Sequence, residues 1–186
     1  GEMIEYYESG EIKKKIYYVN DLAQGESSGY YKSGKIEYKK NYVDNLLQGE
    51  RTNYYESGEV LYKMNYVDGL SQGESIEFYK SGKVYFKTNY IDDFAQGEVI
   101  GYYESGEIEF RQNYVDNLLQ GLEVNYSADG DITASQLFDK GILISNDLIT
   151  YYDSGNIKFS GKLENGLKQG EQIGYYESGE VELKVN

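Results

Sequence analysis

Tyrosine is the residue with the most chemistry to offer in this chain. It occurs 23 times, beside 32 carboxylates and 18 lysines and arginines, and there is no histidine and no cysteine. Without an imidazole or a thiol, nucleophile–base pairs and most metal centres lack their usual residues, which argues against an enzyme. What is left is recognition chemistry: phenol rings that stack and donate hydrogen bonds, cations that lie over rings, and carboxylates that hold hard cations.

These residues fall on a fixed spacing. A Ser-Gly pair or its degenerate form recurs with Gly10, Gly34, Gly58, Gly82, Gly106, Gly130, Gly155 and Gly179, 24 residues apart except for one step of 25. Three residues before these glycines stand Tyr7, Tyr31, Tyr55, Tyr79, Tyr103, Tyr152 and Tyr176, a ladder broken only at Ser127. Five residues after them stand Lys15, Lys39, Lys63, Lys87, Arg111 and Lys184, interrupted at Ser135 and Ser160. Strand parity predicts both rows side by side on the face away from the core, as an aromatic–cationic stripe. Such a stripe suits an extended acidic peptide, or a glycan stacked on the rings. The plainer reading is that lysine stems cover stacked rings and stabilise the sheet, because a repeat duplicates surface residues whether or not they are used.

Two further constellations are weaker. The residues flanking Ser-Gly alternate in sign, Glu8/Glu11, Lys32/Lys35, Glu56/Glu59, Lys80/Lys83 and Glu104/Glu107, so neighbouring turns attract. Exposed pairs of this kind contribute ~0.2–1 kcal/mol each and serve register more than stability. The carboxylates Asp21, Asp44, Asp68, Asp92, Asp93 and Asp116, with Glu26, Glu50, Glu74 and Glu98 close by, resemble calcium ligands. They lack the Asp-x-Asp-x-Asp-Gly spacing, and Asp and Asn beside Gly read better as turn formers. No metal and no cofactor is expected, and nothing marks out a carboxylate pair for glycoside hydrolysis.

The elements that position these rows are hairpins. Mostly apolar residues lie six and four before the glycines (Ile76, Phe78) and two, four and eight after them (Val84, Phe86, Tyr90), with Ser28, Thr52 and Lys14 as departures. These offsets share parity, so all are expected on one face if each Ser-Gly turn is a three-residue loop closed by a glycine bulge. The hairpins are joined by Asp-Asn-Leu-Leu-Gln-Gly-Glu loops. Leu22, Leu46, Leu70, Phe94, Leu118, Ile142 and Leu167 are expected to fold over the apolar face, and Gly25, Gly49, Gly73, Gly97, Gly121 and Gly170 to take φ > 0, with Asn146 standing in for glycine in the odd unit. Residues 127–148 form a degenerate unit with one inserted residue, predicting a local irregularity and not a domain boundary. The expected architecture is all-β: residues 1–186 as a single elongated, twisted antiparallel array of about seven to eight units.

Composition narrows the partners. A net charge of −14 disfavours nucleic acid and anionic membrane surfaces, and no window approaches a bilayer-spanning apolar run. Gly1 opens at a repeat boundary, which suggests a mature or trimmed piece; export is compatible with this, and the compartment is undecided. Open sheet edges at both ends suggest end-to-end self-association.

The pieces Tyr-Tyr-Glu-Ser-Gly-Glu-Ile and Asp-Gly-Leu-Ser-Gln-Gly-Glu, at this spacing, resemble the MORN-repeat variant of many bacterial proteins, over nearly the whole chain. The usual MORN unit carries Tyr-x-Gly-x-Trp; this chain keeps the Tyr-Tyr form and has no tryptophan. The resemblance implies an antiparallel β array acting as a scaffold or interaction module. Some bacterial members are labelled antitoxin components, and other members are linked to phospholipid binding and dimerisation.

Together these readings predict a non-enzymatic structural or interaction module that binds a protein through the Tyr/Lys face or the open ends. The alternatives are a carbohydrate-binding array on the tyrosine ladder and an antitoxin-like component.

Overall fold

The computed structural model describes residues 1–145, 147–152, 154–164 and 167–185. Among them every regular element is a β-strand. The chain divides into two compact units, Gly1–Phe94 and Ala95–Asn186.

In the first unit the strands are β1 (Glu2–Tyr6), β2 (Ile12–Val19), β3 (Leu22–Tyr30), β4 (Ile36–Val43), β5 (Leu46–Leu47), β6 (Gly49–Tyr54), β7 (Val60–Val67), β8 (Leu70–Ser71), β9 (Gly73–Phe78) and β10 (Val84–Ile91). Pairing is antiparallel throughout, β1 with β2, β2 with β3, β3 with β4, β6 with β7 and β9 with β10, while β4 pairs with both β5 and β6 and β7 with both β8 and β9. Short β11 (Phe94–Ala95) follows. The Ser-Gly turns close as expected: Gly34 N–H donates to the Tyr31 carbonyl at 2.9 Å, and Tyr31 N–H donates to the Lys35 carbonyl at 2.8 Å. Gly34 has φ 80°. This is the hydrogen-bond pattern of a glycine bulge, and it repeats at Gly10, Gly58 and Gly82.

A second irregularity decides which side chains share a face. Tyr30 pairs with Ile36, but the next pair is Gly29 with Tyr38, so the second strand holds an extra residue there. The same shift recurs between Tyr54 and Asn53 and between Phe78 and Glu77. Opposed residues share a face. Beyond the shift, therefore, residues six before the glycine lie with those five after it (Ile76 with Lys87), and residues five before lie with those four after (Glu77 with Phe86). The single apolar face expected from shared parity is thus split in two. One face carries Ile76 and Phe78, and the other carries Phe86 and Tyr90.

Burial is deepest on the second of these faces, while Ser28 and Thr52 on the first are buried to a lesser degree. Ile16, Met64 and Thr88, six after a glycine, and Ser27 and Ser75, seven before one, are almost fully buried. Met64 and Ser75 lie among the rings of Tyr62, Phe86 and Tyr90, whereas the residue four after Gly10, beside Ile16, is Lys14. At Gly29 the packing is close enough that a Cβ would lie 2.2 Å from Tyr38 Cε1, which is why glycine stands there.

The linker expectation also needs correction. Val43 pairs with Leu46 across Asp44 and Asn45 alone, both in the left-handed region at φ 49° and 71°. The segment read as a long loop is a second hairpin with a two-residue turn, for which Asp-Asn and Asp-Gly are the favoured residues. Leu46, Leu70 and their equivalents consequently point outward instead of folding over the core. Gly25, Gly49, Gly73, Gly97, Gly121 and Gly170 do take positive φ.

The second unit repeats the scheme in β12 (Gly97–Tyr102), β13 (Ile108–Val115), β14 (Leu118–Leu119), β15 (Gly121–Tyr126), β16 (Ile132–Asp139) and β17 (Ile142–Ser145). Val99 is its most buried side chain. The ladder then stops, and β18 (Asp147–Tyr151), β19 (Ile157–Glu164), β20 (Leu167–Tyr175) and β21 (Val181–Val185) make a four-stranded sheet of their own. The break falls at the inserted residue, with an added register shift between Leu137 and Phe138. Expectations for Asn146 and for the side chains of Tyr151, Leu163 and Leu167 fall outside the described residues.

Candidate functional site

The tyrosine ladder is built into the fold. The Tyr7 hydroxyl donates to the Tyr30 carbonyl at 2.7 Å, Tyr31 to the Tyr54 carbonyl at 2.6 Å and Tyr55 to the Phe78 carbonyl at 2.8 Å. In the second unit Tyr103 donates to Tyr126 and Tyr152 to Tyr175 in the same way. Each hydroxyl reaches a carbonyl 23 residues on, on the residue next to the register shift. Burial, followed by the charges of Glu37 and Glu56, pushes the Tyr31 phenol above its ordinary pKa. Tyr7, Tyr31, Tyr55, Tyr79, Tyr103 and Tyr152 are half-buried, while Tyr176 is exposed.

The basic row is on the other side of the sheet. Lys39 lies opposite Ser28 and Lys63 opposite Thr52, on the face that also carries Tyr30 and Tyr54. The register does not bring the tyrosine ladder and Lys15, Lys39, Lys63, Lys87 and Arg111 into one stripe. The cations have carboxylate partners instead: Lys39 with Glu26 at 3.8 Å and Lys63 with Glu50 at 3.5 Å. Arg111 pairs with Glu98 and Lys184 with Glu171. The hydrogen bond to Glu98 raises the Arg111 pKa still further. Lys15 reaches over the Tyr30 ring at 6.0 Å. The cations that do lie over ladder rings are others, Lys32 over Tyr7 and Lys158 over Tyr152.

The loop carboxylates form a hydrogen-bonded seam. Asn45 Oδ1 accepts from Ala23 N–H at 2.7 Å, and Asp93 Oδ1 accepts from Ser71 N–H at 2.7 Å. Gln48 and Gln72 accept from the Asp68 and Asp92 N–H groups. That bonding, the Ser71 backbone foremost, holds the Asp93 carboxyl below its usual range. Among the described residues, no three of His, Cys, Asp or Glu cluster closely enough to hold a metal ion.

Two features escaped the sequence reading. A row of apolar side chains flanks the two-residue turns and is left open: Val43 and Leu46 are each 47% exposed, Val67 44% and Leu70 42%. Their Val-x-x-Leu recurrence around Asp-Asn and Asp-Gly was the signal. The aromatic residues assigned to a sealed core also line an open hollow, described further below.

The match to known families decides the class. The model described as the MORN repeat variant matches residues 1–20, 23–44, 47–68, 71–92, 95–116 and 168–186, more than half of the chain. The chain belongs to the MORN repeat variant family. Residues 117–167, which that family's model does not match, contain the degenerate repeat and the break between β17 and β18. MORN repeats are modules that generally serve interaction and generally lack catalytic machinery. No curated protein matches the chain.

Proposed function

We propose that this MORN chain is a non-enzymatic module that docks a protein partner on its lysine-bearing face, along the open Val/Leu row. The observation that carries the reading is the row itself: Val43, Leu46, Val67 and Leu70 recur at fixed spacing and stay nearly half exposed. Contiguous exposed apolar surface of this kind marks interaction sites. In the first unit Lys15, Lys39, Lys63 and Lys87 share that face, and Lys39 and Lys63 would meet carboxylates of the partner by exchanging their present Glu26 and Glu50 neighbours, as Arg111 would exchange Glu98 in the second unit. Tyr7, Tyr31, Tyr55, Tyr103 and Tyr152 serve as staples between successive repeats, since their hydroxyls are already engaged.

The test is affinity capture from the native organism at moderate salt, comparing the natural chain with a Leu46→Ser, Leu70→Ser variant and with Tyr31→Phe, Tyr55→Phe. A protein retained by the natural chain and by the tyrosine variant, but lost with the leucine variant, supports the reading. A protein retained equally by all three overturns it. A glycan-array signal removed by Tyr31→Ala and Tyr55→Ala would favour the carbohydrate reading instead.

A further inference from the structure

On the aromatic face of the first unit, a hollow of about 430 Å³ opens between β7 and β10. Tyr62, Phe86 and Tyr90 wall it, Met64 and Ser75 form its floor, and Glu77 stands in its middle. The register explains the placement. Glu77 on β9 lies directly opposite Tyr62 on one side and Phe86 on the other. Beside Ser75, its partner Thr88 is buried with an Oγ1 that has no hydrogen-bond partner.

The neighbouring repeat shows what such a frame accepts. One repeat earlier, Lys40 lies between the two rings four and eight residues after Gly34 on its own strand, 4.9 Å from the Tyr38 centroid and 5.2 Å from that of Tyr42; the corresponding rings one repeat on are Tyr62 and Tyr66. Arg51 lies over the same Tyr38 ring at 5.7 Å, held there by Asn53 Oδ1 at 2.9 Å. The residues 24 and 48 positions after Lys40 are Met64 and Thr88, so the two following frames carry no cation of their own at that place. Among the described residues no cation lies over the Tyr62 or Tyr90 ring, and no ion pair includes Glu77. The other acid at this repeat position in the first unit, Glu5, is ion-paired with Lys13 at 2.6 Å.

We infer that this hollow binds an alkylated ammonium ion, with the rings of Tyr62 and Tyr90 facing the cation and the Glu77 carboxylate neutralising it. Ring faces attract cations through their quadrupole, and a quaternary ammonium sheds water more readily than a bare ammonium, so aromatic walls favour it. Burial pushes the Tyr62 and Tyr90 phenols up, so both rings stay neutral around physiological pH.

The experiment titrates the full chain with choline, tetramethylammonium, ammonium and the neutral carbon isostere of choline, following the tyrosine ring signals by NMR. Choline and tetramethylammonium are expected to saturate shifts at Tyr62 and Tyr90, with ammonium weaker and the isostere weakest. Glu77→Gln should lower the choline affinity by about five- to tenfold. Met64→Lys, which installs the built-in cation of the preceding repeat, should abolish saturable binding while the protein still melts cooperatively. A short peptide carrying trimethyllysine separates the sources: tighter binding than choline assigns the ammonium to a protein tail, equal binding to a free small cation, and either supports the site. Equal affinity for the neutral isostere overturns the inference, as do shifts confined to Tyr38 and Tyr42, or a choline affinity unchanged in Glu77→Gln.

Discussion

The two faces of the first unit are built from the same strands and obey different rules. On one face Ile16, Met64 and Thr88 are almost fully buried, Met64 among the rings of Tyr62, Phe86 and Tyr90. On the other, lysines bridge to glutamates at 3.5–3.8 Å and valines and leucines stand open. Met64 and Lys63 are adjacent in the chain, yet one is a floor and the other a surface. The difference teaches that in a one-layer sheet an extra residue in each hairpin, and not hydrophobicity alone, decides which side becomes interior.

Removing the floor should separate the faces most. Met64→Ala deletes a buried side chain and is expected to cost about 2–5 kcal/mol, whereas Lys63→Ala stays within about 0.5 kcal/mol. Urea unfolding followed by circular dichroism measures both, and equal losses would erase the contrast. Gly29→Ala probes the same face from the backbone. Its new Cβ would meet the Tyr38 ring at 2.2 Å, so a loss of about 1–3 kcal/mol is expected, partly restored by Tyr38→Ala in a double-mutant cycle.

Tyr31→Phe tests the staple. It removes the 2.6 Å bond to the Tyr54 carbonyl and should cost about 0.5–1.5 kcal/mol. Tyr17→Phe, on an exposed residue of the opposite face, should be silent.

Alkali should weaken the aromatic face first. Burial, then the 3.4 Å contact with the Tyr66 hydroxyl, raises the Tyr62 pKa well above its ordinary 10.0. Because the folded pKa is the higher one, the unfolded chain releases its proton first. The stabilisation is complete below pH 10.0 and is lost as pH rises toward the folded value. Melting temperatures across that range, with phenolate absorption, should show a shallower decline in Tyr62→Phe.

The smallest effect belongs to the charged turns. Changing Lys32, Lys35, Lys80 and Lys83 to Glu should lower the melting point at low salt and leave it nearly unchanged at high salt. The influence of Lys32 on Glu11 and of Lys80 and Lys35 on Glu59 points that way. An unchanged melting point at low salt removes the attraction between turns.

Much of this was legible in residue spacing. The 24-residue period, the hairpins and the glycine bulge at Ser-Gly all follow from Tyr-Tyr-x-Ser-Gly, while its one irregular step predicted only a local irregularity over residues 127–148. The split into two faces was not, because nothing in the composition marks the second shift between Tyr30 and Gly29. Without it Tyr31 and Lys39 fall on one side, and with it they part. Leu46 was misplaced for a related reason: an apolar side chain between polar loop residues suggests cover, but a two-residue turn leaves it no core to reach. The staple was hidden too, since the carbonyl it uses belongs to the next unit.

That staple has a mechanical reading. Tyr7, Tyr31 and Tyr55 each fasten a turn to a strand of the next repeat, 23 residues on, so under tension one repeat yields only after its rivet to the next has failed. Pulled at its ends, the first unit should lengthen in discrete steps of roughly 80 Å, one 24-residue hairpin pair at a time. Each tyrosine then sets the force of its own step, making the array a graded shock absorber.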